Sequence, residues 1–208
     1  MSNQTKGVIF LMAKSRVFVS RLFAAVILLI AIFTTHSFSQ ESLWDVSFEA
    51  SGLFLLTTCS MGRLWALMYI SGNKRLELVT DGPYSIVRNP LYFFSLIGAL
   101  GIGLVSENLL ILALMVVFYA VYYPFTILAE EKKLEGTFGD AYLEYKRRTP
   151  RFLPKPSLYK GAESYTINAK VFVRNFIDGM WFIWIFILLH TIEMAQNSGY
   201  LPVYWKIP

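Results

Sequence analysis

Cysteine and histidine are nearly absent from this sequence. Cys59 is the only cysteine, and His36 and His190 are the only histidines, among 208 residues. One cysteine excludes an intrachain disulfide and a thiolate metal cluster. Two histidines beside apolar runs give little basis for a zinc site, so we expect no metal. The sequence also shows no pairing of a nucleophile with a histidine base.

Charged residues are scarce as well. They make up 16% of the chain, whereas hydrophobic residues make up 55%. This balance excludes an ordinary soluble domain and is typical of a membrane protein. We find no nucleic-acid-binding module, and the net charge of +5 fits a protein that faces anionic lipid. We therefore expect a lipid bilayer as the environment and a single domain over residues 1–208.

Five apolar runs predict an all-α, polytopic membrane helix bundle with about five transmembrane helices. The connection 106–108 is so short that the third and fourth runs are expected to form a tight hairpin. The glycines of the third run, Gly98, Gly101 and Gly103, allow close helix packing. An alternative for the first run is a signal peptide, because residues 37–39 resemble a cleavage site; the later spans favour a retained helix. The runs cover residues 22–38, 46–70, 91–105, 109–129 and, as an additional C-terminal span, 171–192.

Basic residues lie on one side of the predicted bundle. Of the 19 Lys and Arg residues, all but Arg63 and Lys206 precede the first run or lie within 71–90 and 129–174. The connections 39–45 and 106–108 contain none. The positive-inside rule therefore predicts that the N-terminus and the basic connections are cytoplasmic and that the C-terminus is not.

The segment 129–148 differs from the spans, because its apolar residues recur every three or four positions. This pattern predicts one or two short amphipathic helices on the cytoplasmic surface. Gly136 and Gly139 weaken the segment as a continuous helix. The prolines that follow, Pro150, Pro154 and Pro156, are expected to end it.

The first polar cluster lies in the stretch DGPYSIVRNPLYFF, residues 81–94. Its opening DGP is a turn signal, and Pro90 suits the first turn of a helix. The third span would then present N–H groups and a positive dipole end to an anion, with Arg88 adding further donors. A plainer interpretation makes Arg88 an interfacial anchor and the tyrosines part of an aromatic belt. The cluster comprises Tyr84, Arg88, Asn89 and Tyr92.

The second polar cluster follows the fourth span. A carboxylate at Glu130 or Glu131 would bind a cationic ligand or a pair of hydroxyls, or would pair with neighbouring lysines on a solvated helix face. Aromatic and basic residues further along would hold a ring and an anion, or would lie among lipid headgroups; these are Tyr142, Tyr145, Arg148 and Arg151. Arg63, within the second span, either reaches this site or extends to the interface.

Taken together, the two clusters carry a family resemblance. GPYSIVRNPLY, beginning at residue 82, and EEKKLEGTFGDAYLEYKRRTPRFLP, beginning at residue 130, resemble the isoprenylcysteine carboxyl methyltransferase and phospholipid methyltransferase superfamily. The resemblance spans residues 76–154, and the two motifs are specific in this order around one hairpin. It implies a membrane enzyme that binds S-adenosyl-L-methionine in a cytoplasm-facing pocket and takes a lipid-like substrate from the bilayer.

The resemblance also implies which residues form the cofactor-binding core, 76–154. Arg88 and Glu130 would act at the catalytic centre. The cofactor's carboxylate suits a helix N-terminus and Arg88, its ammonium and ribose hydroxyls suit Glu130, and its adenine suits an aromatic wall. The residues expected to line or shape the pocket are Leu78, Val79, Tyr84, Arg88, Asn89, Pro90, Tyr92, Glu130, Glu131, Tyr142 and Tyr145.

The sequence departs from the family pattern at two positions. Asn89 stands where the family often has His, and an amide cannot carry a proton at neutral pH, so a general-base role is not expected there. Thr126 stands where the isoprenylcysteine enzymes carry an Arg for the substrate carboxylate. A prenylcysteine carboxylate is therefore disfavoured as the acceptor. Arg148 and Arg151 are the other candidates for contact with the substrate.

These features predict a membrane methyltransferase in which the acceptor attacks an already activated methyl group, so that alignment and water exclusion carry most of the catalysis. One rival is a sterol-type membrane reductase, whose larger nicotinamide cofactor would need more basic residues. The other rival, a small transporter or structural membrane protein, leaves the two motifs without a purpose.

Overall fold

A computed structural model describes residues 3–36, 42–71, 77–164 and 167–207, with side chains from residue 18 onward. The described chain is mostly helical. Its elements, in order, are α1 (Asn3–Phe33), β1 (Thr34–His36), α2 (Leu43–Ile70), α3 (Pro83–Ile86), α4 (Pro90–Val105), α5 (Leu109–Phe138), α6 (Asp140–Arg148), a 3₁₀ turn (Pro156–Leu158), α7 (Ala169–Asn197) and β2 (Trp205–Ile207).

Three described helices are long and apolar enough to cross a membrane: α2, α5 and α7. The apolar part of α1, Phe18–Phe33, and the whole of α4 are shorter. Sixteen residues of α4 extend only about 24 Å, less than the roughly 30 Å of a bilayer core. The helical membrane architecture is confirmed for three spans, and the total of five stays a prediction.

The interface between α2 and α4 is the most extensive helix pairing in the described chain, and glycines make it possible. A Cβ atom on Gly52 would lie 2.7 Å from the backbone nitrogen of Val105 and 3.0 Å from the carbonyl oxygen of Gly101. A Cβ on Gly98 would lie 2.6 Å from Cys59 Sγ. The close packing expected of the glycines in the third run is therefore confirmed.

Five helices meet in one buried apolar cluster. It contains Ile27 and Ala31 from α1, and it is completed by Leu56, Ile102, Val105, Ile111 and Leu189 from α2, α4, α5 and α7. The bundle has two ends. We call the end where α2 stops and α4 starts the motif end, and the end that holds the connection between α4 and α5, residues 106–108, the turn end.

Two strands were not expected from an all-α prediction. β1 and β2 form a parallel pair in which Thr34 faces Trp205 and His36 faces Ile207. The first predicted span ends too late, because α1 stops at Phe33 and β1 follows directly. The strands pair the segment after α1 with the segment after α7, a contact between distant parts of the chain that period-based reasoning does not reveal. Residues 37–39, on which the signal-peptide alternative rests, lie outside the described residues.

The amphipathic segment is less broken than its glycines suggested. Helix α5 continues through Gly136, which is exposed, and ends at Phe138. The chain then turns at Gly139, whose φ of 51° is favourable for glycine, and α6 begins at Asp140. The fifth predicted run also proves longer, as α7 covers Ala169–Asn197.

Candidate functional site

The first motif forms a compact turn at the motif end. Gly82 has φ of 59°, and a Cβ there would lie 2.2 Å from the ring of Tyr69. The short helix α3 follows, and Asn89 is the N-cap of α4 with Pro90 at its first position. The Asn89 side chain does not cap the helix. Its carbonyl accepts from the N–H groups of Tyr92 and Phe93, so the first turn offers an anion fewer free N–H groups than the sequence indicated.

Glu131 is the centre of the contact between the two motifs. Its carboxylate is only 4% exposed, and its Oε1 atom accepts a hydrogen bond of 3.0 Å from Asn89 Nδ2. Arg88 Nε lies 3.2 Å from the same oxygen, and Arg151 donates to Oε2 at 3.1 Å. A buried carboxylate is costly unless it is paired in this way. The predicted residues Arg88, Asn89 and Glu131 are therefore brought together.

Arg88 takes part in this network through its guanidinium. Its side chain is 7% exposed, and besides the ion pair with Glu131 it donates at 2.7 Å to the backbone carbonyl of Lys146. Through that bond it ties α6 to the first motif. These contacts are those of a residue that positions its neighbours, and a role of Arg88 in binding an anion stays a prediction.

The prolines after α6 predict where the helix ends, and the resemblance places residues up to 154 in the cofactor-binding core, but neither predicts the main contact of this segment. Its backbone pairs with the first motif: Arg88 N–H donates to the carbonyl of Pro150 at 2.8 Å, and Lys155 N–H donates to Ile86 at 2.9 Å. The N–H of Gly82 donates to Lys160 at 2.7 Å. Residues 150–160 therefore form one wall of the site. Hydrophobic periodicity does not predict this pairing of two backbone segments.

Two tyrosines of α6 point into the same region. Tyr145 donates at 2.7 Å to the carbonyl of Tyr84. Tyr142 is 1% exposed, and its hydroxyl has no hydrogen-bond partner among the described residues. Burial raises the pKa of Tyr142 to about 12, and the Glu131 carboxylate adds to the shift. Burial likewise raises the pKa of Tyr145 and Tyr84. These phenols therefore stay protonated at neutral pH and act as donors.

An aromatic group adjoins α4 at the motif end. The rings of Tyr92 and Tyr123 meet edge to face with centroids 5.6 Å apart, and those of Tyr119 and Tyr123 stack at 4.3 Å. The Tyr119 hydroxyl donates to the Tyr92 carbonyl, and Phe152 packs against Tyr119. Of these, only Tyr92 was predicted, because Tyr119 and Tyr123 lie within an apolar run whose tyrosines carry no distinguishing pattern.

Glu130 differs from its neighbour, because it is exposed. It is nevertheless close enough to Tyr84 for its charge to raise the pKa of that phenol. Leu78 and Val79 are half-buried in the extended segment that leads into the first motif. These three predicted residues are therefore at least partly exposed, whereas Glu131 is buried.

The predicted substrate residues are dispersed. Thr126 is 2% exposed, and its hydroxyl donates at 3.4 Å to the Tyr122 carbonyl of its own helix. Arg148 is exposed on α6, and Arg151 is paired with Glu131. Arg63 does reach the motif end: its Nη1 donates to Ser95 Oγ at 2.6 Å, and its guanidinium lies over the Phe182 ring.

The protein is therefore a bundle of membrane helices with a polar site beside α4. A buried carboxylate and several tyrosines form this site at the motif end. The family model for phospholipid methyltransferases matches residues 51–141, which include both α4 and Glu131. The chain is also 30% identical over 120 residues to the protein-S-isoprenylcysteine O-methyltransferase of Schizosaccharomyces pombe, covering 56% of this chain and 51% of that protein. The chain belongs to the superfamily of phospholipid and isoprenylcysteine methyltransferases.

Two bacterial relatives match over more of their length. The nickel-cobalt-cadmium resistance protein NccN of Alcaligenes xylosoxydans xylosoxydans is 35% identical over 88% of this chain and 85% of its own. The cobalt-zinc-cadmium resistance protein CzcN of Cupriavidus metallidurans is 36% identical over 77% of this chain and 76% of its own. No solved structure matches.

Proposed function

We propose that this protein is an S-adenosyl-L-methionine-dependent integral membrane methyltransferase that acts on a lipid-like or hydrophobic acceptor. The observation that carries the proposal is the joining of the two motifs at Glu131, where Asn89 and Arg88 of the first motif meet Arg151 of the second. The chain belongs to the methyltransferase superfamily, and the proposal adds to this a cofactor, a binding site and a class of substrate.

The residues present fit this cofactor. The buried Tyr142 hydroxyl lacks a hydrogen-bond partner among the described residues, and this supports a ligand atom as its acceptor. The exposed Glu130 carboxylate supplies the negative charge that an ammonium group or ribose hydroxyls require. Tyr84 and Tyr92 supply aromatic surface for adenine.

When bound, the cofactor supplies a methyl group on a positively charged sulfur. Glu130, Tyr142, Tyr84 and Tyr92 would hold the cofactor, which would supply this methyl group directly to the acceptor. The protein's part is to hold the two reactants in line and keep water away. In this assignment Glu130 and Tyr142 bind, while Arg88, Asn89, Glu131 and Arg151 hold the walls of the site in register.

Asn89 and the tyrosines set a limit on the acceptor. An amide cannot accept a proton at neutral pH, and the raised pKa values of the phenols keep them protonated. An acceptor that is already deprotonated, or that loses its proton to solvent at the interface, needs no such base.

Equilibrium binding of radiolabelled S-adenosyl-L-methionine to the purified full chain in detergent tests the proposal. We expect saturable binding that unlabelled cofactor displaces and that NADPH does not. Displacement by NADPH alone would favour the reductase, and absence of binding of either would favour a non-enzymatic membrane protein. Glu130→Gln should weaken binding, while Lys170→Gln, an exposed cation at the start of α7, should not.

We also propose that the methyl transfer contributes to resistance against divalent metal ions, since two relatives are named for such resistance. A deletion strain should then grow less well on nickel, cobalt, cadmium or zinc salts. The wild-type gene should restore growth, and the Glu130→Gln variant should not. Restoration by both would separate the resistance from the methyl transfer.

A further inference from the structure

A separate cluster of titratable side chains lies at the turn end, far along the bundle from the two motifs. It joins His36 at the end of β1, Asp45 in the first turn of α2, and Glu107 in the connection between α4 and α5. One ligand-forming atom of each residue lies within 4.8 Å of the others. His36 is 8% exposed and Glu107 is 4% exposed. Imidazole and carboxylate groups from three separate elements thus converge in a site sheltered from solvent.

Glu107 is the residue that most needs an explanation. It has φ of 49°, the only positive value of a non-glycine residue in the described chain, and its Oε2 atom is buried without a hydrogen-bond donor from the described residues. That oxygen lies 3.5 Å from His36 Nδ1. A carboxylate oxygen of Asp45 lies within 4.8 Å of one of Glu107. Two carboxylates this close repel each other, and a cation between them would remove that repulsion.

Further charged groups surround the three. Glu193 of α7 lies 3.7 Å from His36 Nε2, and His190 Nδ1 lies 3.0 Å from Glu49 Oε1 on α2. Lys206 of β2 lies in register with Thr35 of β1. The acids Asp45, Glu49, Glu107 and Glu193 therefore outnumber the fixed cation Lys206 in this cluster, which favours a bound cation.

A cavity adjoins the cluster. It has a volume of roughly 30 Å³ and is lined by His36, Glu193, Asn108 and Thr34, among others. That is enough space for one or two water molecules. Of the three side chains, the cavity is lined by His36 and not by Asp45 or Glu107, so it would offer space for a water on the imidazole side of a bound cation.

We propose that His36, Asp45 and Glu107 form a binding site for one divalent transition-metal cation of the Zn²⁺, Co²⁺ or Ni²⁺ class, with water completing its coordination. Imidazole together with carboxylate suits these ions, whereas Ca²⁺ and Mg²⁺ prefer more ligands that are all oxygen. With bond lengths of about 2.1 Å, tetrahedral ligands lie roughly 3.4 Å apart. The separation of 3.5 Å between His36 Nδ1 and Glu107 Oε2 already meets this value, and a carboxylate oxygen of Asp45 lies within 4.8 Å of a ligand atom of each of the other two residues.

Such a site differs from the prediction based on composition, in which a chain with only two histidines is expected to bind no metal. The site does not depend on the proposed methyl transfer, which would occur at the other end of the bundle. A cation would link β1, α2 and the connection between α4 and α5. It should therefore stabilise the folded protein in proportion to its binding.

Cobalt binding to the purified full chain, prepared without a polyhistidine tag, tests the site. Co²⁺ is titrated in detergent and followed by its visible ligand-field absorption, and Zn²⁺ is then added as a competitor. We expect one equivalent of Co²⁺ to bind, Zn²⁺ to displace it, and Mg²⁺ to leave it in place. Glu107→Gln, Asp45→Asn and His36→Gln should each lower the affinity at least tenfold and abolish the thermal stabilisation by Zn²⁺.

Two control variants locate the site. Glu135→Gln, at the motif end, should bind Co²⁺ as the wild type does, and so should His190→Gln, whose ring lies outside the three ligands. Circular dichroism and size-exclusion chromatography identify variants that remain folded, and three separate ligand variants keep the test decisive if one misfolds. Wild-type affinity in the folded ligand variants would overturn the proposal, as would absence of binding at millimolar Co²⁺ or loss of binding in His190→Gln alone.

Discussion

The side chains of Asn89 and Glu131 are joined by a hydrogen bond of 3.0 Å across 42 residues of sequence. Asn89 occupies the N-cap position of α4, yet its amide turns away from the helix and toward the carboxylate of α5. A favourable cap is exchanged for a link between the two motifs. The site is therefore assembled by a contact between helices and depends on both of them being in place.

The Glu131 network should dominate the stability of the motif end. Replacing Glu131 by Gln leaves the guanidinium of Arg88, 7% exposed, without its charge partner, and breaking a buried ion pair costs about 3 kcal/mol or more. We expect a clear fall in the thermal unfolding midpoint in detergent. The matched control is Glu135→Gln, whose pair with Lys146 is 44% and 37% exposed. Equal shifts in the two variants would contradict a dominant role for Glu131.

Tyr142 allows stability and cofactor binding to be separated. Its hydroxyl is buried without a partner among the described residues, so Tyr142→Phe should leave the unfolding midpoint of the free protein unchanged or raise it. If the hydroxyl bonds the cofactor, the affinity for S-adenosyl-L-methionine should fall by about 0.5–1.5 kcal/mol. Tyr145→Phe is the contrast, because that hydroxyl already donates to Tyr84 and its loss should lower stability. Unchanged affinity in Tyr142→Phe would remove this residue from the proposed pocket.

Glycine substitutions should act in opposite directions at two positions. Gly52→Ala would bring a methyl group within 2.7 Å of the Val105 backbone nitrogen, and a backbone atom cannot easily move aside, so we expect destabilisation of at least about 1 kcal/mol. Gly136→Ala meets nothing within 4 Å inside α5 and should stabilise by about 0.5–1 kcal/mol. Unfolding in detergent measures both. A neutral Gly52→Ala would mean that α2 and α4 separate readily.

The sequence predicts the two motifs well and their surroundings poorly. Asn89, Arg88 and Glu131 stand out as polar residues next to apolar runs, and they do meet. The prolines within residues 150–160 indicate where a helix ends. They do not indicate which backbone segment will pair with the residues that follow the helix. Tyr119 and His36 belong to their clusters because distant segments of the chain contact each other. Neither helical periodicity nor composition predicts such contacts.

Membrane orientation is open to a direct test. Ser157 is exposed after α6, and Ser198 is exposed after α7. We expect them to lie on opposite sides of the membrane, because the basic connections all fall on one side of the predicted bundle. Single cysteines at these positions, in a Cys59→Ala background, are labelled in intact cells by a reagent that does not cross membranes. Only the cysteine at position 198 should react. Labelling of both, or of position 157 alone, would contradict the predicted orientation.

The last prediction concerns the acceptor. Thr126 occupies the position where the isoprenylcysteine enzymes are expected to carry an Arg, and it is 2% exposed within α5. The segment 109–131 of α5 contains no Lys or Arg, and Arg88 and Arg151 are already paired with Glu131. Desolvating an unpaired carboxylate costs several kcal/mol. We therefore expect methyl transfer to amine, thiol or phenol lipids to exceed transfer to a prenylcysteine analogue.

Both kinds of acceptor are assayed on one preparation with labelled cofactor. Arg148→Ala, which removes an exposed cation from α6, should leave the preference unchanged. Thr126→Arg should not create carboxylate activity, because a guanidinium buried in α5 would lack a partner and should reduce the yield of folded protein instead. If the wild type methylates the prenylcysteine carboxylate alone, and if Arg148→Ala abolishes that activity, then α6 supplies the cation from the surface and the inference from Thr126 is wrong.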